Sequence, residues 1–67
     1  MENKIEILKR NKGKEVVLSA SYNETDGEII EVSEEVGLVA VKINKKQIKY
    51  IEISKIYEIT ELRWTNK

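Results

Sequence analysis

Lys42, Lys45, Lys46 and Lys49 fall in a stretch, residues 42–49, that holds no acid, and Tyr50 follows directly. Cations so spaced can neutralise successive phosphates while a neighbouring ring stacks on a base, which makes the run a candidate nucleic-acid-binding element. On a pair of strands the same lysines serve equally well as a solvated hairpin tip that discourages edge pairing. Residues 15–36 are the counterpart, with seven Asp or Glu and no cation. Oxygen ligands of this kind can hold a hard cation, but the run lacks the Asp-x-Asp-x-Asp-Gly spacing of a calcium loop. Glu24, Asp26, Glu28, Glu31, Glu34 and Glu35 therefore read as an exposed acidic face, able to meet the basic hairpin of a neighbouring subunit.

Catalytic chemistry has little to work with. The chain contains no His and no Cys, which removes Ser-His-Asp and Cys-His nucleophiles, the usual zinc ligand sets and any disulfide framework. Lys14 with Ser19 or Ser21 is a conceivable Ser–Lys pair, but nothing nearby suggests an oxyanion hole. Gly13-Lys14 does not fit the Gly-x-x-x-x-Gly-Lys-Ser/Thr phosphate loop. The expectation is a non-enzyme without cofactor or metal.

Twelve Lys or Arg balance twelve Asp or Glu, so the formal net charge is zero. A dedicated nucleic-acid binder is usually net basic, because phosphate neutralisation dominates its affinity. The 67 residues make one small domain. A chain near this size buries only about 60% of its unfolded surface, and small domains without staples often gain stability from oligomerisation. Ten Ile and six Val against four Leu and two Ala favour pleated sheet, where stiff β-branched side chains pack well. No run approaches the roughly 18 apolar residues of a membrane span. Met1 to Asn11 alternates apolar and charged residues, so neither a signal peptide nor a membrane partner is expected, and the protein reads as cytoplasmic.

The elements that must carry these residues follow from pattern. Asn3 to Asn11 predicts a short helix with Met1, Ile5 and Leu8 on one face, an Asn3/Glu6 capping box, and Gly13 as the C-terminal cap. Glu15 to Tyr22 alternates as a strand with Val16, Leu18, Ala20 and Tyr22 on one face, the first three placed inside. Asn23 to Gly27 reads as a turn, and Glu28 to Glu34 as a second strand with Ile30 and Val32 inward. Leu38 to Ile43 is a third strand with Val39, Val41 and Ile43 inward, and Asn44-Lys45-Lys46 a tight tip. In Gln47 to Ile53 the period slips: Ile48 and Tyr50 share one parity, Ile51 and Ile53 the other, which suggests a bulge. Ser54-Lys55 is a short break and Ile56 to Thr60 a fifth strand. With Ile48, Tyr50, Ile53 and Ile56 also placed inside, Val17, Ile29, Leu38, Ile51, Tyr57, Ile59 and Trp64 are left over as outward apolar surface, which marks an interaction face unless the tail folds back over it.

Leu8, Gly13 to Leu18, Asp26 to Val32, Gly37 to Val41 and Lys49 to Ile56 form a pattern of apolar positions and glycines over residues 3 to 61. This pattern resembles the Sm-like family of small SH3-like barrels, among them the bacterial Sm-like RNA chaperones and the C-terminal barrel of ribosome maturation factors. The resemblance implies an all-β, five-stranded, strongly bent antiparallel barrel with a short N-terminal helix. It also implies copies joined by pairing the fourth strand of one with the fifth of the next. Uridine-binding members carry an acidic residue ending strand two, a polar one opening strand three, and an Arg-Gly or Lys-His element after strand four. Here Ser33, Gly37 and Ile53-Ser54 stand at those places, so that nucleotide pocket does not carry over.

The expectation is then a single domain, residues 1–67, with helix 3–11, barrel 14–61 and tail 62–67. It is expected to act as a homo-oligomeric protein-interaction or scaffold module, with Ile51, Ile53, Tyr57 and Ile59 as candidate interface residues. The alternative is a single-stranded RNA-binding module that uses Lys42, Lys45, Lys46, Lys49 and Tyr50. For the fold, the alternative is an open α+β sheet with the helix on one face.

Overall fold

A computed structural model describes residues 3–62. Helix α1 spans Lys4–Arg10. The strands are β1 (Glu15–Ala20), β2 (Asn23–Ser33), β3 (Leu38–Asn44), β4 (Gln47–Glu52) and β5 (Ile56–Glu61), with a 3₁₀ turn over Ile53–Lys55. All five strands lie in one sheet of order β4-β3-β2-β1-β5, every neighbour antiparallel. β4 and β5 are thus its two edges, and the sheet does not close on itself.

The capping box forms as the sequence implies. Asn3 Oδ1 accepts from the Glu6 amide at 2.9 Å, and the Asn3 amide donates to Glu6 Oε1 at 3.0 Å. The C-terminal cap is Asn11 rather than Gly13. Its side chain is short enough to turn back and donate to the Ile7 carbonyl at 2.9 Å, while Nδ2 also meets Glu61 Oε2 at 2.6 Å. Gly13 instead takes the left-handed turn into β1, at φ +85°, and its amide donates to the Ile29 carbonyl. Leu8 inserts fully into the core and Ile5 packs against it. Met1 lies outside the described residues.

The first hairpin is tighter than its sequence suggests. β1 and β2 pair from Ala20↔Asn23 to Glu15↔Glu28, so the turn is Ser21-Tyr22 and residues 23–27 are already strand. Ser21 adopts φ 56°, and Tyr22, expected to end the strand on the face of Val16 and Leu18, stands at the tip fully exposed. Turn chemistry in Asn23 to Gly27 was outweighed by the full antiparallel ladder with β1. Gly27 has another task. A Cβ there would meet the Lys42 carbonyl oxygen and Val41 Cγ1 at 2.6 Å each, so only glycine lets β3 come this close to β2.

Register decides the remaining faces. Between Ile29 and Glu31 the β2–β3 register shifts, so Ile29 is fully buried, Ile30 is only half-buried, and Val32 still packs on the core. In β4, Val39↔Ile51 and Val41↔Lys49 put the odd-numbered residues on the core row. Ile51 and Ile53 are therefore buried, at 8% and 6% exposure, whereas Ile48 and Tyr50, expected inward, stand out at 49% and 65%. The irregularity lies not within β4 but on β3 beside the tip of the same hairpin, between Lys42 and Asn44. A one-residue change of parity exchanges every side chain between faces. Ile43 keeps the expected parity but lies beyond the core, 39% exposed. The core proper is Leu8, Val16, Leu18, Ile29, Val39, Val41, Ile51, Ile53 and Ile56. No helix among the described residues is long and apolar enough to cross a membrane.

Candidate functional site

The tip of the β3–β4 hairpin is held by its own side chains. Asn44 Nδ2 donates to Gln47 Oε1 at 2.6 Å, and Asn44 Oδ1 accepts from the Lys46 amide at 2.9 Å. Such an Asx contact replaces the backbone bonds a turn lacks. It holds the backbone of Lys45 and Lys46 at the exposed end of the sheet. Lys42, Lys45 and Lys46 form no ion pair among the described residues.

The expected lysine set divides between the two faces. Lys42 pairs in register with Ile48, and Ala40 with Tyr50, so Lys42, Ile48 and Tyr50 share the face away from the core. Lys49 lies in the core row, and its Nζ donates across the sheet to the buried Thr25 Oγ1 at 3.1 Å. A cleft beside this bond is lined by Ser21, Asn23, Thr25, Lys49, Tyr50 and Lys55. Lys55 pairs with Glu52 at 3.1 Å.

The expected interface set divides too. Ile51, expected outward, fills the chain's own core because it stands in register opposite Val39, and Ile53, already placed inside by pattern, joins the same core cluster, so neither is left to face a partner. Tyr57 is 68% exposed on the edge strand β5, and Ile59 is partly buried against the core. With Ile7 and Lys4 of α1 these two line a groove along β5. Of the remaining residues expected outward, Ile29 is fully buried, and Trp64 lies outside the described residues.

Sequence pattern did not reveal a second groove, of about 330 Å³, on the outer face of β2–β4. Ile30, Val36, Leu38, Ala40 and Tyr50 line it, with Glu31 as its one charged wall residue. The signal was present in the alternation of Leu38 and Ala40 with Val39 and Val41. It became legible only once Tyr50 was known to lie outside.

Carboxylates gather on the opposite half of the outer face. Glu15 faces Glu28 in register, and Asp26 and Glu24 follow on the same side of β2. Like charges directly opposite repel. Glu31 and Glu34 leave this row and pair with Lys12 at 3.4 Å and Lys9 at 2.8 Å. Among the described residues no group of three or more His, Cys, Asp or Glu is placed to hold a metal ion. The imagined Ser–Lys pair does not assemble. Ser19 is buried late in β1 and Ser21 sits in the turn beyond it, while Lys14 precedes the strand.

Both sheet edges carry six-residue strands, and neither has a strand partner on its outer side among the described residues. No family model, no curated protein and no solved structure matches this chain.

Proposed function

We propose that this chain is a non-enzymatic interaction or scaffold module that works as a homo-oligomer, its open sheet being the curved sheet of a small Sm-like or SH3-like barrel. The observation that carries this reading is the pair of sheet edges left without an outer neighbour among the described residues. The order β4-β3-β2-β1-β5 leaves β4 and β5 terminal, each six residues long. An uncovered edge is a row of unpaired backbone donors and acceptors, which proteins normally cover or guard. The guard here is light, with Lys49 turned onto Thr25 and Lys55 paired to Glu52. Pairing β4 of one copy with β5 of the next satisfies both rows and brings more apolar surface onto Tyr57 and Ile59. Because the two edges differ, the contact is head-to-tail and closes a ring if the rotation permits. Sedimentation equilibrium of the purified chain tests the reading. Mass above one 7.8 kDa chain supports it, and a single species at that mass defeats it.

A second reading has its own observation. Lys45 and Lys46 form no ion pair among the described residues, nor does Lys42, which stands opposite Glu28 in register and shares its face with the exposed Tyr50 ring. That combination suits a single-stranded RNA backbone with one stacked base. Undetectable binding to single-stranded RNA at low salt, where phosphate contacts are strongest, removes this reading.

A further inference from the structure

The β3–β4 hairpin tip and the outer groove lie at opposite ends of β3. The groove opens at the Leu38 end, over Ile30, Val36, Leu38 and Tyr50. Its charged wall is Glu31, and Glu35 stands beside Val36 in the adjoining turn with no ion pair among the described residues. No cation lines it. The tip has the complementary character. Ile43 and Ile48 are 39% and 49% exposed there, and they flank Lys45 and Lys46, which have no carboxylate of their own. From Leu38 to Asn44 the strand rises roughly 20 Å, so Lys45 and Lys46 do not reach the Leu38 end of the groove in their own chain, and Ile48 borders it only at Tyr50.

We propose that the tip of one copy seats in the groove of a second copy. Ile48 then covers the apolar floor beside Leu38 and Tyr50, and Lys45 and Lys46 face Glu31 and Glu35. The occupant is a second copy because the tip carries both properties the groove asks for, apolar side chains and adjacent cations. The apolar contact supplies the attraction, and the charges set orientation and exclude the reverse docking. Glu31 is free to change partner, since its pair with Lys12 is 3.4 Å long and both side chains are more than half exposed. The contact uses the face of the sheet and the tip of a hairpin. It is therefore distinct from backbone pairing along β4 and β5.

Charge reversal tests this directly. One variant carries Lys45→Glu with Lys46→Glu, and the other Glu31→Lys with Glu35→Lys. All four side chains are exposed, so circular dichroism should stay native. By sedimentation velocity at low salt, each variant alone should self-associate at least about tenfold more weakly than the wild type. An equimolar mixture should restore association, because each tip again finds a groove of opposite sign. Wild-type association should also weaken from about 0.05 to about 0.5 M sodium chloride. Wild-type behaviour of either variant, or a mixture that stays dissociated, overturns the groove contact. Backbone pairing of β4 with β5 would survive both the reversals and the salt, so the two readings fail separately. Association lost on nuclease treatment also overturns the proposal and assigns the lysines to RNA. Should a groove variant lose its native spectrum, Ile48→Asp on the tip carries the same test, with the same tenfold loss expected and wild-type association again overturning the contact.

Discussion

Gly27 and Lys42 approach so closely that a Cβ on Gly27 would lie 2.6 Å from the Lys42 carbonyl oxygen. The obstacle is backbone and cannot swing aside as a side chain can. Gly27→Ala must therefore push β3 away from β2 at the point where β2 passes from pairing with β1 to pairing with β3. Overpacking of this kind costs about 1–3 kcal/mol. For so small a domain that lowers the melting temperature by roughly 5–20 °C. A thermal melt of Gly27→Ala equal to that of the wild type would show that the close approach is not needed.

Ile51 and Tyr50 are adjacent in sequence and opposite in role. Ile51→Ala empties a site in the core and should cost about 2–5 kcal/mol. Tyr50→Ala, on the outer face, should cost no more than about 1 kcal/mol. Urea unfolding of the two variants compares them. Equal losses would mean that the register of β4 against β3 is not the one described.

Asn11 ties the end of α1 to β5. Its buried amide donates to the Ile7 carbonyl and to Glu61 Oε2. Asn11→Ala leaves the carbonyl without this partner and should destabilise by about 1–3 kcal/mol. The loss should appear in denaturant midpoints without a change in slope, because the surface exposed on unfolding stays the same.

RNA binding, if the lysine tip serves it, has a defined salt signature. Each phosphate contact on a single strand contributes about 0.7 to the slope of log affinity against log salt. Lys45→Gln with Lys46→Gln should therefore flatten the slope by roughly 1.4. Lys49→Gln should leave it nearly unchanged, because that ammonium is turned onto Thr25. Fluorescence anisotropy with a labelled single-stranded RNA measures both. A slope that responds to Lys49 and not to the tip would reverse the assignment.

Edge pairing makes its own demand on Tyr57. Its side chain is 68% exposed on β5, so Tyr57→Lys should leave the fold intact while placing a charge on the proposed edge. The oligomer should dissociate to the 7.8 kDa chain in sedimentation equilibrium, with native circular dichroism. An oligomer of unchanged mass would move the contact away from β5.

The sequence by itself determined the element order, the capping box at Asn3 and Glu6, the inward rows Val16-Leu18 and Val39-Val41, and the lysine-bearing tip. Each is local, written in side-chain period, charge and cap chemistry within a few residues. What it left open was decided by pairing between distant segments. Asn23 to Gly27 became strand because β1 lay ready to pair with it. Ile29 displaced Ile30 from the core through the register shift against β3. Ile51 went in and Tyr50 went out because Val39 and Val41 set the register of β4. Parity along an isolated strand carries no mark of which face will be buried when both hold apolar residues, as β2 and β4 do. Only the partner strand, in its tertiary place, breaks that tie. The two sheet edges and the outer groove have the same origin, since both exist only once the strand order and the face of Tyr50 are set.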